Sequence, residues 1–177
     1  MKWKNIDIGP AYYYITATVT DWLPLLERAS IRELVCADIA AALRVCGGSV
    51  AAYVIMPSHL HLLVYLPESG LLHKFCKLWR GRSGRHIPRL LQTEGDVESL
   101  RVLAARANGR CRYAAWKEQA RAVAVYSRRL VGVKIDYIHA NPVRAGLAES
   151  PADWRSSSCR FYELGEEVDL AVTPVQI

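Results

Sequence analysis

The chain has 177 residues, of which 51% are hydrophobic, and its formal net charge is +6. This length suits one domain with a sizeable core, and so apolar a composition excludes a globally disordered chain. The five scattered cysteines form no C-x-x-C pair, which excludes a disulfide framework or zinc ribbon and is typical of a reduced compartment. Neither a signal-peptide core nor a membrane-length apolar run is present, so we expect a cytoplasmic protein without a membrane partner.

The first half of the chain predicts three strands and two helices. A β-branched and aromatic run predicts a strand at 11–19, and helical spacing of apolar residues predicts a helix at 28–46 that ends at Gly47-Gly48. Strands at 49–56 and 59–66 flank a tight turn at Pro57 and therefore form a hairpin. A second helix follows at 69–92, interrupted or loosened near Gly81 and Gly84.

The second half is harder to divide. Residues 111–116 and 120–126 are either two short strands, or one strand and a loop. A third helix begins after Ser127 and ends at Asn141-Pro142, because the residue before a proline is disfavoured in a helix.

The predicted order β-α-β-β-α-β-α indicates an α+β, ferredoxin-like fold, in which helices pack on one face of an antiparallel sheet. We expect one domain over 1–177, with its core at about 11–162 and an acidic C-terminal tail at 163–177.

Basic residues are concentrated in the second predicted helix, where 71–90 contain no acidic residue. These are Lys74, Lys77, Arg80, Arg82, Arg85 and Arg89. They form either a phosphate-contacting surface or an ordinary solvated helix face. Trp79 lies among them, and we favour a core role over a base-stacking role for it.

Two histidines stand out in the predicted strand HLHLLVYL. Side chains alternate along a strand, so His59 and His61 project from one face of the sheet while Leu60 and Leu62 take the other. Paired neutral imidazoles are natural ligands of a divalent ion, although a chain with five histidines can also contain an H-x-H pair by coincidence.

The third helix contributes two further polar residues. Tyr137 and Asn141 are four apart and share a helix face, beside the apolar stripe of Val131, Ile135 and Ile138. Tyr137 is either a nucleophile or a boundary tyrosine packed on the sheet, and Asn141 is either a metal ligand or a helix C-cap.

The segments MPSHLHLLV and YIHANPVRAGL resemble the two motifs of single-tyrosine transposases with a His-hydrophobe-His site. With DWRSSSCRFY after them, the chain is most similar to the branch of REP-associated tyrosine transposases, over about 11–162. Ser58 departs from the Asn usual before the first histidine, and 111–127 lack a clear form of the family's aromatic pattern.

The resemblance implies a ferredoxin-like fold and cleavage and rejoining of single-stranded hairpin DNA from palindromic repeats, through a 5′-phosphotyrosine. It makes Tyr137 the nucleophile, His59 and His61 metal ligands and Asn141 a third ligand. The implied cofactor is Mg²⁺ or Mn²⁺, and Mn²⁺ suits imidazole better. Relatives act as monomers or homodimers.

Three other functions compete with this one. The first is a domesticated, non-catalytic protein that binds hairpin DNA. The second is a replication initiator or relaxase, which the short chain without a second tyrosine motif disfavours. The third is a hydrolase of small phosphoesters, which would leave the basic surface without a use.

Overall fold

The computed structural model describes residues 7–109, 111–118 and 120–175. The strands are β1 (Ala11–Thr18), β2 (Ser49–Ile55), β3 (His59–Leu66) and β4 (Arg121–Val125). The helices are α1 (Ala29–Cys46), α2 (Leu71–Thr93), α3 (Val97–Ala105), α4 (Arg128–Arg144) and α5 (Cys159–Leu164). Single 3₁₀ turns lie at Thr20–Trp22, Leu25–Glu27 and Pro151–Asp153. In this part of the chain, no helix is both long and apolar enough to cross a membrane.

The four strands form one antiparallel sheet in the order β2-β3-β1-β4. The predicted hairpin is present, with the amide of Met56 donating to the carbonyl of His59 across the turn. The α+β class and the antiparallel sheet are therefore confirmed, and the predicted β-α-β-β-α-β-α order is present with two added helices, α3 and α5, that the sequence did not predict. Of the two uncertain segments only 121–125 is a strand, whereas the other contributes an isolated bridge from Trp116 to Val19.

Helices α1 and α2 pack on one face of the sheet, as the ferredoxin-like fold predicts, but α4 covers the opposite face, so the helices are not confined to one face. The larger core packs α1 and α2 against Tyr13, Ile15 and Leu62. A second, smaller core on the opposite face packs α4 against Ala52, Val54 and Leu63. The alternation of β3 allows this, because Leu62 and Leu63 are both fully buried although they point in opposite directions.

Helix α2 runs without a break through Gly81, Gly84 and Pro88, so the expected interruption was wrong. Trp79, Ser83 and Ile87 are all completely buried along this stretch. Burial of large side chains on both sides of the glycines outweighs the helix-propensity loss of about 1 kcal/mol per glycine.

Helix α4 also continues past its predicted end. It includes Asn141 and Pro142 and ends at Arg144, with Ala145 as the C-cap, so Asn141 is not a C-cap. Proline cannot donate to the carbonyl four residues earlier, which belongs to Ile138. The side-chain amide nitrogen of Asn141 donates to that oxygen at 3.5 Å and to the carbonyl of Tyr137 at 2.6 Å. The predicted N-cap is present, since Ser127 Oγ accepts from the amide of Leu130.

The C-terminal segment lies along β2. Ser157 forms a bridge with Val54, the amide of Ile55 donates to the carbonyl of Ser156, and the amide of Thr173 donates to the carbonyl of Val50. These bonds satisfy backbone groups at the edge of the sheet.

Candidate active site

The two histidines lie side by side at the start of β3, on the face of the sheet that α4 covers. Their ring centroids are 5.1 Å apart, and their planes are nearly perpendicular. Leu60 and Leu62, which alternate with them, are fully buried in the opposite core. The strand therefore holds both imidazoles on the face that the alternation predicts.

Tyr137 reaches this pair from α4. Its ring centroid lies 6.1 Å from that of His61 and 6.0 Å from that of Tyr14. The helix is anchored by the buried Ile135 and Ile138, while Tyr137 remains 37% exposed at the edge of the interface. The histidine pair and Tyr137 thus lie close together within one chain, and Tyr137 is accessible from solvent.

Two residues of β1 that the sequence did not single out hold His61 in place. Thr16 pairs with His61 in the β1–β3 register. The Nδ1 atom of His61 lies 2.8 Å from the hydroxyl of Tyr14 and 2.9 Å from that of Thr16. Either hydroxyl can accept a hydrogen bond from Nδ1–H, and that tautomer leaves the Nε2 lone pair for an ion.

The surroundings keep both imidazoles neutral. Burial lowers the pKa of His59. Burial, helped by His59 and the Lys134 ammonium, lowers the pKa of His61 to about 3. Burial also raises the pKa of Tyr14 to about 12, against the opposing effect of its Thr16 hydrogen bond. Neutral histidine is the form that binds metals.

Cations surround the tyrosine. The Lys134 Nζ lies 4.6 Å from the ring centroid of Tyr14 and 5.6 Å from that of Tyr137. The Arg144 guanidinium lies 5.1 Å from the centroid of the Tyr137 ring. These two charges favour an anionic group beside the phenol.

The donor set fits a divalent ion only in part. In the described part of the chain, no group of three His, Cys, Asp or Glu side chains is placed to hold a metal. The two imidazoles provide two ligands of a metal site. Asn141, the expected third ligand, lies on the same helix as Tyr137. The observed bonds of Asn141 use its amide nitrogen, whereas an ion would need its amide oxygen.

The six basic residues of α2 do not join this centre, because α2 packs on the other face of the sheet. Lys77, Arg80 and Arg85 instead line an open cavity of about 1470 Å³ between α2 and the segments 106–109 and 111–118, which we call the basic groove. Arg82 faces Asp38 of α1 at 3.9 Å. Lys74 and Arg89 are exposed on other parts of the helix. Trp79 is buried in the core, as favoured.

Arg80 is the least solvated of these cations. Its guanidinium donates to the carbonyl of Lys117, but in the described part of the chain its buried Nε has no hydrogen-bond partner. Burial lowers the pKa of this guanidinium. A poorly solvated charge in the wall of a groove favours an anionic ligand.

The turn after β1 has an unusual backbone. Asp21 and Trp22 both have a positive φ, of 50° and 59°, which costs a residue other than glycine about 1–2 kcal/mol each. Arg106 Nε donates to both carboxylate oxygens of Asp21, at 3.1 and 2.8 Å, and Thr20 donates to the carbonyl of Ala114. These contacts hold Trp22 beside His59, with ring centroids 5.6 Å apart.

Fold and site together describe a ferredoxin-like α+β domain with a His-x-His pair on its central strand β3, on the face that the helix with Tyr137 covers. Among solved structures, a REP-associated tyrosine transposase bound to a REP hairpin matches with a TM-score of 0.64 and 18% identity, over 100% of this chain and 94% of that one. A candidate transposase from Deinococcus radiodurans R1 matches with a TM-score of 0.48 and 16% identity, over 78% and 95%. The first match establishes a shared fold.

Comparison of the sequence gave no further relative. No family model matches the chain, and no curated protein matches it.

Proposed function

We propose that this protein is a single-tyrosine transposase of the REP-associated kind, which cleaves and rejoins single-stranded hairpin DNA. One observation carries the proposal: the partly exposed Tyr137, which is far from the His59–His61 pair in sequence, lies beside that pair, with Lys134 and Arg144 next to its ring. The fold shared with a transposase bound to a REP hairpin supports it.

The proposed chemistry assigns a role to each group. The Tyr137 hydroxyl oxygen attacks the scissile phosphorus, a bond forms between them, and the bond from phosphorus to the 3′ oxygen breaks. The phenol proton passes to solvent or a base, and the departing 3′ oxygen takes a proton from solvent and leaves as a hydroxyl. The 5′-phosphotyrosine retains the phosphodiester energy, so a later 3′-hydroxyl can reverse the step and join strands.

Metal dependence belongs to the same proposal. His59 and His61, with the amide oxygen of Asn141 after a side-chain rotation, would hold Mg²⁺ or Mn²⁺. Such an ion supplies Lewis-acid charge to the phosphoryl oxygens. Lys134 and Arg144 add fixed positive charge where the phosphate and the departing oxygen develop negative charge.

Because the three residues meet within one chain, the centre needs no residue of a second copy. We therefore propose that a monomer is active. The six basic residues of α2 would contact backbone phosphates, with Lys77, Arg80 and Arg85 acting through the basic groove.

The test is a denaturing-gel assay with end-labelled hairpin oligonucleotides taken from palindromic repeats near the gene, with Mn²⁺, Mg²⁺ or chelator. We expect a covalent protein–DNA adduct that depends on metal and is absent from Tyr137→Phe and His59→Ala. Tyr126→Phe is the matched control, because Tyr126 is an exposed tyrosine away from the site. It follows Val125, which pairs with Tyr12 at the end of β1 that is opposite to the histidines. Hairpin binding with no adduct under any condition would favour the domesticated, non-catalytic protein.

A further inference from the structure

We propose that Trp22 is a base-stacking residue that positions the DNA strand between the His59–Tyr137 centre and the basic groove. This inference rests on the proposed function and adds to it a residue that would contact the substrate. Two observations carry it: the location of the indole, and the backbone that presents it.

The location of Trp22 links two regions that the sheet separates. On one side its ring meets His59 nearly edge-on, at 5.6 Å between centroids. On the other side the Lys117 Nζ lies 4.4 Å from the indole centroid, and the carbonyl of Lys117 accepts from Arg80 in the groove wall. A strand that leaves the tyrosine and enters the basic groove must turn around the end of the sheet at this point.

The backbone at Trp22 does not suit a residue that serves folding alone. Trp22 is 55% exposed. The backbones of Asp21 and Trp22 are both in the left-handed conformation, which glycine tolerates and tryptophan does not. The salt bridge from Arg106 to Asp21 and the bridge from Val19 to Trp116 hold the turn in this state. A binding partner outside the chain would explain why a strained turn keeps a large apolar ring exposed to solvent.

The chemistry around Trp22 identifies that partner as a nucleobase next to a phosphate. An indole offers a flat surface on which any base can stack, so the contact would set strand position rather than read sequence. Lys117, whose ammonium already lies over the ring, would pair with the adjacent phosphate. Arg80 and Arg85 continue the positive charge into the groove.

The experiment uses a hairpin with a single-stranded extension beside the stem, carrying one photoreactive iododeoxyuridine at each extension position in turn. We expect irradiation to link the full-length protein to DNA through the peptide containing Trp22, at one or two neighbouring positions only. In a binding assay, Trp22→Ala should weaken binding of the extended hairpin by roughly five- to a hundred-fold, the range for one lost base–aromatic stack. Binding of the blunt hairpin should not change.

Two variants separate stacking from folding. Trp22→Phe retains an aromatic ring and should recover most of the affinity, and Tyr126→Ala removes an exposed ring at the far end of β1 and should change nothing. Equal affinity of Trp22→Ala and wild type for the extended hairpin, or a cross-link only to other peptides, would overturn the inference.

The outcomes also distinguish this inference from the proposed function. A wild-type protein that forms the Trp22 cross-link but no phosphotyrosine adduct would contradict cleavage and support stacking. An adduct that forms normally in Trp22→Ala, with unchanged affinity, would contradict stacking alone. Absence of any binding to extended hairpins would overturn both.

Discussion

Ser158 joins three parts of the fold through one hydroxyl, and replacing it with alanine should destabilise the protein strongly. Its fully buried Oγ accepts from the amide of Tyr53 in β2 at 2.9 Å and lies 2.9 Å from Nε2 of His139 in α4. It also donates to the carbonyl of Tyr53 at 3.2 Å. With His139 donating through Nε2–H, the hydroxyl uses its one proton and both lone pairs.

The magnitude follows from the groups left behind. Ser158→Ala strands two buried donors, the amide of Tyr53 and Nε2–H of His139, and each unsatisfied donor costs about 1–3 kcal/mol. The carbonyl of Tyr53 keeps its bond from the amide of Ser158. Allowing for partial relaxation, we expect a loss of about 3 kcal/mol in the free energy of unfolding, or roughly 6–12 °C in Tm for a chain of this size.

Thermal and urea unfolding at neutral pH, followed by circular dichroism, would measure this loss. Ser156→Ala is the matched control, because Ser156 contacts β2 through its backbone carbonyl, which alanine retains. A Ser158→Ala protein within about 0.5 kcal/mol of wild type, or a Ser156→Ala protein equally destabilised, would refute the hydrogen-bond accounting.

Three further predictions concern the site and the backbone. Tyr14→Phe removes a hydroxyl that contacts His61 Nδ1 and should weaken Mn²⁺ binding, measured by titration calorimetry, by roughly ten- to a hundred-fold; unchanged affinity would exclude an orienting role. Because the pKa of His61 falls from 6.5 to about 3 on folding, the unfolded state binds more protons between those values. The stability of the metal-free protein should therefore decrease as the pH falls through that window, by up to roughly 1.4 kcal/mol per pH unit, and in pH-dependent urea unfolding a His61→Gln protein should lack this component. Gly48→Ala should destabilise the protein, because a Cβ at this position would lie 2.6 Å from the carbonyl oxygen of Tyr65. Gly81→Ala should instead stabilise α2 by about 0.5–1 kcal/mol, because a Cβ there would have no neighbouring atom closer than 3.8 Å among the described residues. Thermal melts that reverse this order would contradict the packing described.

Local patterns predicted some elements better than others. The alternation in β3 and the glycine after α1 gave their boundaries closely, since both signals act within a few residues. Gly81 and Pro142 predict helix breaks that the structure does not have. The helices continue because burial of Trp79, Ile87 and Ile138 and the side-chain hydrogen bonds of Asn141 compensate for poor local helix propensity.

The candidate site divides in the same way. Spacing alone placed His59 and His61 on one face and Tyr137 beside an apolar stripe. Tyr14 and Thr16 were missed, although their alternation in β1 was visible, because their relation to His61 depends on strand register. Trp22 was missed because a turn that holds two left-handed residues has no local sequence signal when neither residue is glycine.

The sequence by itself determined the α+β order of elements, the shared face of the two histidines and the concentration of positive charge in α2. Only the tertiary structure decided that α4 covers the histidine face, that α2 lies on the opposite face, and that Trp22 stands between the two regions. The physical reason is that helical and strand periodicities are local. The face on which a helix packs depends instead on apolar contacts between distant segments, such as those that join α4 to β2 and β3.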